Sequence, residues 1–278
     1  MDAYPILFVG AGPGDPDLIT VAGRKALAAA DLVVYAGSLV NPEILSWRRP
    51  EARLVDSAPL ALEDIMAEII NGWEAGLKVV RLHTGDPALY GAIHEQIAVL
   101  KNRGIPFQVI PGVTAALAGA ASLGLEYTLP EITQTLIITR AAGRTPVPDG
   151  EDLALLAKSR ASLVIYLSAA QGEKVGRALS EAYGPDAPVV LLYKVSWPEA
   201  RTVWTSCARL AETLADEKLD RHTLMLAGPA VAALRAGRDA PKSKLYDASF
   251  AHGRREAGKP AEKGKATGNK TAEAADEA

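Results

Sequence analysis

Short apolar runs alternate with helix-periodic stretches along this 278-residue chain, and no other feature restricts its fold so tightly. In the first half, residues 6–9, 32–36, 78–82 and 106–110 read as strands, and 18–30, 60–73 and 89–102 as helices. Strands separated by helices must cross over to pair in parallel, which covers the sheet with helices and points ligands to the carboxyl ends of the strands. After the Gly- and Pro-punctuated stretch "GLEYTLPEITQ" the pattern restarts, with strands expected at 135–139, 162–167, 189–193 and 223–227 and helices near 151–158, 172–183 and 208–216. The expectation is an α/β protein of two α/β domains, 1–126 and 127–250, with mainly parallel or mixed sheets, joined near 124–134. From residue 251 to 278 no hydrophobic side chain is larger than alanine, so burial cannot offset ordering entropy and this tail is expected to be disordered.

With 49% hydrophobic and 23% charged residues the chain can bury a substantial core, and a formal charge of -3 gives no basic excess for nucleic-acid binding. The single cysteine, Cys207, excludes an internal disulfide and a cysteine-only metal cage, and is expected to be a small packed side chain. The four histidines, His83, His94, His222 and His252, have no paired metal-ligand spacing, so no metal is expected. His83 stands before a Gly-Asp-Pro turn, where it either touches ligand or is a hydrogen-bonded structural residue; His94 is expected mid-helix on a polar face. No run reaches the ~18 to 20 apolar residues of a membrane span, and no basic-then-apolar leader opens the chain, which reads as cytoplasmic.

The opening "VGAGPGDPDLIT" looks like a dinucleotide-binding loop but breaks the Gly-x-Gly-x-x-Gly rule. Gly10 and Gly12 fit, Gly14 comes one residue early, and Asp15 occupies the third glycine's place. A carboxylate there would repel a phosphate and compete for the same N–H donors. The local alternative is an ordinary helix start, with Asp15 as N-cap and Pro16 at the first helical position.

Three strand-to-helix turns carry unusual chemistry: "GAGPGDP" from Gly10, "HTGDPALYG" from His83 and "PGVTA" from Pro111. In a parallel sheet they line one edge. Gly14-Asp15-Pro16 and Gly85-Asp86-Pro87 repeat one tripeptide, in which the Asp can cap a helix that Pro begins. Thr84, Thr114 and Tyr90 supply hydroxyls, Leu89, Val113 and Ala115 an apolar wall, and no turn carries the lysine or N–H nest of a phosphate site. The ligand that fits has an aromatic face, hydroxyls and a zwitterion. A nicotinamide-dependent oxidoreductase and a non-catalytic ligand-binding protein stay open as other classes on these residues alone; the former would want an acidic residue near position 36, where "YAGSL" stands.

Taken in order and spacing, "VGAGPGDPDLIT", "VVYAGSLV", "RLHTGDPALYGA", "VIPGVTA" and "YLSA" closely resemble the tetrapyrrole methyltransferases, over roughly residues 4 to 235. Members of that family use S-adenosylmethionine to methylate precorrins and related substrates. The resemblance implies a homodimer acting on a small-molecule tetrapyrrole, with the cofactor in the interdomain cleft. The cofactor-contacting positions it implies are Pro13, Thr84, Gly85, Asp86, Leu89, Thr114, Ala115, Leu167 and Val195. It also turns the opening loop, with Gly12 and Asp15, toward the tetrapyrrole, beside Tyr90. The acceptor's carboxylates need cations, and Arg140 and Arg144 of "TRAAGRTP" are the candidates, because guanidinium pairs bidentately with carboxylate. Asp86 has three readings: ribose hydroxyls, the cofactor's ammonium, or pure capping. No catalytic side chain is named, since a sulfonium donor is already activated and orientation supplies much of the rate.

Overall fold

The computed structural model describes residues 4–219, 221–238, 241, 243–247, 250 and 251. The expected tail beyond Ala251, with His252, lies outside the described residues. Among the described residues the strands form two five-stranded sheets. The first contains β1 (Ile6–Gly10), β2 (Leu32–Tyr35), β3 (Arg53–Asp56), β4 (Val79–His83) and β5 (Phe107–Ile110) in the order β3-β2-β4-β1-β5. All of its pairings are parallel. Alternate residues along each strand face opposite sides, so one face buries Phe8, Leu32 and Val34, and the other buries Val9, Val33 and Leu82. The first face is covered by α2 (Leu62–Glu74) and α3 (Ile93–Asn102), the second by α1 (Val21–Ala29).

The second sheet is mixed. Its strands β6 (Leu136–Arg140), β7 (Ser162–Tyr166), β8 (Pro188–Tyr193), β9 (Arg201–Ser206) and β10 (Thr223–Ala227) run in the order β6-β7-β10-β8-β9. Only β6 and β7 pair in parallel; the rest are antiparallel. The segment between β8 and β9 is too short for a crossover helix, so those strands return on each other. One face packs on α5 (Leu153–Ala157), α6 (Gly172–Tyr183) and α7 (Leu210–Asp216), with Cys207 buried among them as expected. The other face takes α8 (Pro229–Arg235) and α4 (Ala115–Leu123). Thus α4, which follows the last strand of the first sheet, packs on the second, and the chain crosses between sheets at residues 111–114.

Two expected helix starts are corrected. The helix expected at 18–30 begins at Val21, capped by Thr20 Oγ1, which accepts the Gly23 N–H at 3.0 Å. Asp15 caps only a 3-10 turn, Pro16–Leu18, by accepting the Asp17 N–H at 2.9 Å. The helix expected at 89–102 begins at Ile93, because Tyr90 (φ 57°) and Ala92 (φ 49°) take left-handed conformations that an α-helix excludes. Asp86 therefore caps no α-helix.

Candidate active site

The order β4-β1-β5 brings the three unusual turns side by side at the carboxyl edge of the first sheet. They pack backbone against backbone. The Ala11 N–H donates to His83 O at 2.7 Å, and Gly12 and Gly85 exchange two N–H to carbonyl bonds of 3.2 and 2.8 Å. A Cβ on Gly112 would stand 2.1 Å from Gly85 O and 2.8 Å from Gly10 Cα, so these glycines serve the contact between turns. The Gly12 N–H is thus given to Gly85 O, and the Asp15 N–H to Ser196 Oγ, so neither is left for a phosphate.

Asp86 joins two of the turns: one carboxylate oxygen accepts the Ala88 N–H and the other the Gly112 N–H, each at 2.8 Å. A carboxylate has about four lone-pair sites, so Asp86 keeps acceptor capacity for a ligand.

Beyond this edge lies a cavity of about 410 Å³ walled by both sheets' loops. Pro13, Thr84, Gly85, Asp86, Leu89, Thr114, Ala115, Leu167 and Val195 all line it, as does Tyr90. Gly12 and Asp15 do not: Gly12 is occupied by Gly85, and the Asp15 N–H donates to Ser196 Oγ at 2.9 Å. Neither Arg140 nor Arg144 lines the cavity. The Arg140 guanidinium donates to the carbonyls of Ala141, Thr145 and Pro146 at 3.4, 3.1 and 2.6 Å, which ties up its own loop; Arg144 is exposed beside it. The cations that do line the cavity are Lys194 and Arg221, and Asp86 is its sole carboxylate among the described residues.

His83 is a core residue. It is buried, stacks on Phe8 with ring centroids 6.0 Å apart, and its Nε2 has no hydrogen-bond partner. Burial, and then the charge of Arg81, push its pKa down to about 3, so it is neutral. Arg81 is itself buried, donating to Gln96 Oε1, Val34 O and Ser57 Oγ; burial brings its pKa down to about 10. His94 is exposed near the start of α3.

Sequence reasoning missed Ser38, Tyr166, Trp197 and His222, all lining the cavity. Trp197 lies on Gly14, where a Cβ would fall 2.1 Å from the indole Cδ1, and its Nε1–H donates to Pro13 O at 2.9 Å. His222 Nε2 stands 3.1 Å from Ser38 O. The Tyr166 hydroxyl bonds to Thr114 Oγ1 at 2.6 Å and accepts the Ala116 N–H at 2.7 Å. Burial raises the Tyr166 phenol, and those two bonds oppose it. Tyr90, Leu167, Lys194 and His222 all combine cavity lining with φ between 47° and 57°. Such backbone strain in non-glycine residues clusters where a ligand must be met.

A parallel half and a mixed-sheet half close over a cavity of ligand size whose lining, among the described residues, carries hydroxyls and one carboxylate, which defines a two-domain α/β protein with a ligand cleft between its sheets. The comparisons make that class specific: residues 5–211 match the family model of the Tetrapyrrole (Corrin/Porphyrin) Methylases, and this chain belongs to that family. It is 42% identical to the cobalt-precorrin-4 C(11)-methyltransferase of Priestia megaterium, over 89% of this chain and 96% of the other. It is 43% identical to the precorrin-4 C(11)-methyltransferase of Pseudomonas aeruginosa, over 89% of this chain and 97% of the other. An X-ray structure of a cobalt precorrin-4 methyltransferase superposes with a TM-score of 0.79 at 42% identity, covering 82% of this chain and 95% of that one. The uroporphyrin-III C-methyltransferase of Thermus thermophilus complexed with S-adenosyl homocysteine gives 0.69 at 27% identity, covering 82% and 93%.

Proposed function

We propose that this protein transfers a methyl group from S-adenosylmethionine to carbon 11 of precorrin-4, giving precorrin-5 in cobalamin biosynthesis. The observation that carries the reading is that nine positions scattered from 13 to 195 converge on one cavity, in a chain about 40% identical to enzymes of that reaction. Cobalt-precorrin-4 is the second acceptor to test, because the relatives named for it match equally well over the same share of the chain.

The donor set suits S-adenosylmethionine. Thr84 and Thr114 offer hydroxyls, Asp86 offers free lone pairs to an ammonium or to ribose hydroxyls, and Leu89, Val195 and Leu224 offer apolar surface to an adenine. When bound, the sulfonium supplies a methyl group already activated by positive charge. The chain's own work is to hold donor and acceptor in line and to keep water out, an effect worth up to ~7–11 kcal/mol in well-oriented systems. At the cavity rim Lys194 and Arg221 are the cations available to acceptor carboxylates, in place of Arg140 and Arg144. Lys194 pairs with Glu199 at 3.6 Å and lies over the Trp197 ring, so it is already oriented.

The family likeness also supports a cytoplasmic homodimer; no helix among the described residues is long and apolar enough to cross a membrane. We take residues 1–126 and 127–250 as its two domains, with α4 reaching from the first onto the second. Light scattering tests the dimer. The reaction is tested by incubating the protein with precorrin-4 and S-adenosylmethionine carrying a ¹³C methyl group. One new methyl signal at carbon 11 is expected, and labelling of another carbon, or none, overturns the assignment. Repeating it with cobalt-precorrin-4 decides between the acceptors.

A further inference from the structure

Thr114 stands at the N-cap of α4, yet its hydroxyl accepts no N–H from the helix's first turn. That hydroxyl is turned to Tyr166, and the Tyr166 oxygen takes the Ala116 N–H in its stead. A residue at the end of β7 in the second sheet therefore does the capping that the helix's own N-cap residue leaves undone. The Tyr166 ring lines the cavity and packs on Tyr90 with centroids 5.5 Å apart.

The capped segment is the one by which the chain crosses between sheets. On the first-sheet side Asp86 holds the Gly112 N–H, and on the second-sheet side Tyr166 holds Thr114 and Ala116. Tyr127 adds a third tie, its hydroxyl donating to Ala116 O at 2.7 Å. Thr114 and Ala115 lie between these ties and face the cavity. We infer that Tyr166 is a positioning residue for methyl transfer: its hydroxyl fixes the start of α4, and with it the stance of Thr114 and Ala115 against the methyl donor. The inference rests on the reading of the cavity as the donor site. A donor misplaced by about 1 Å is enough to slow a reaction roughly a hundredfold, so a tie of this kind has kinetic weight.

The test is Tyr166→Phe, which keeps the ring, its packing on Tyr90 and the cavity's shape while removing the hydroxyl. Losing the hydroxyl leaves the Ala116 N–H without its partner. We expect kcat to fall about tenfold or more, and the dissociation constant of S-adenosylhomocysteine and the KM for S-adenosylmethionine to rise about tenfold, the equivalent of ~1.4 kcal/mol. The KM for the tetrapyrrole should stay within about twofold, and Tm should fall by only about 2–4 °C. A folded Tyr166→Phe protein with the wild-type kcat and the wild-type affinity for S-adenosylhomocysteine overturns the inference. Wild-type protein that binds no S-adenosylhomocysteine overturns instead the donor-site reading beneath it. Should the variant not fold, hydrogen exchange of the Ala116 amide in the wild type carries the test. Slow exchange in the S-adenosylhomocysteine complex is expected, and fast exchange there would contradict a held helix start.

Discussion

The two halves of the molecule build one cavity by opposite means. The parallel half presents backbone: three strand-end turns locked together by glycines, with hydroxyls and one carboxylate on their rim. The mixed-sheet half presents side chains that reach back across the cleft, with Trp197 donating to Pro13 O, Ser196 accepting from Asp15 and His222 meeting Ser38 O. The first half therefore fixes the shape of the ligand surface, and the second fixes its distance from the opposite wall. Sites made of close backbone contacts tolerate no added atom, whereas sites made of reaching side chains fail by degrees.

That contrast breaks most sharply at Gly112. A methyl group there would collide with the Gly85 carbonyl and with Gly10, so Gly112→Ala should cost about 3 kcal/mol or more, as overpacking at rigid backbone does. Urea unfolding should show it, together with loss of S-adenosylhomocysteine binding; a stable variant with intact binding would mean that the turns are not rigidly packed. Trp197→Ala is the counterpart in the other half. It removes a half-buried ring and one hydrogen bond, and about 2 kcal/mol of stability is expected to go with them. Donor affinity should fall with it, while Trp197→Phe recovers most of the stability.

Acid should separate the halves as well. His83 is neutral in the folded first half, with its pKa pushed down to about 3, and binds a proton near pH 6.5 once unfolded. The unfolded state thus binds more protons below pH 6.5, and stability present above that pH is lost as pH falls toward 3, at up to about 1.4 kcal/mol per pH unit. In the second half burial shifts Tyr183 to about 12 and Cys207 to about 11, and neither titrates in acid. Amide exchange near pH 4 should open the first sheet before the second, and His83→Gln should flatten the dependence; equal opening of both sheets would count against it. The smallest effect is expected at Asp86. Asp86→Asn keeps an acceptor for only one of the Ala88 and Gly112 N–H groups and loses the charge, so S-adenosylhomocysteine should bind about tenfold more weakly. Methylthioadenosine, which lacks the ammonium, separates the roles: unchanged binding assigns Asp86 to the ammonium, and an equal loss assigns it to the ribose.

Most of the parallel half was legible in the sequence because strands buried on both faces read as unbroken apolar runs, as at Leu32–Tyr35. The edge strands β3 and β9 were not, since "RLVD" and "RTVWTS" face solvent and carry charge or hydroxyl groups instead. Helix α4 escaped because its run of Ala, Leu and Gly, with Ser122 as its one polar residue, has no polar face from which to read a period. At the cavity, positions on a turn with its own motif could be found locally. Trp197 and His222 could not, because their partners Pro13 and Ser38 stand 184 residues away in sequence and nothing local marks the pairing. The bonds of Arg140 were out of reach for a related reason: its charge was visible, but the carbonyls it donates to belong to a loop whose path the sequence does not give.

The central claim, that one ligand is held by both halves at once, is tested most directly by hydrogen exchange of the wild-type protein with and without S-adenosylhomocysteine. The account predicts new protection at residues 84–86 and 114–115 together with 167–170 and 194–197. Protection confined to the opening loop, or to one half alone, would contradict it.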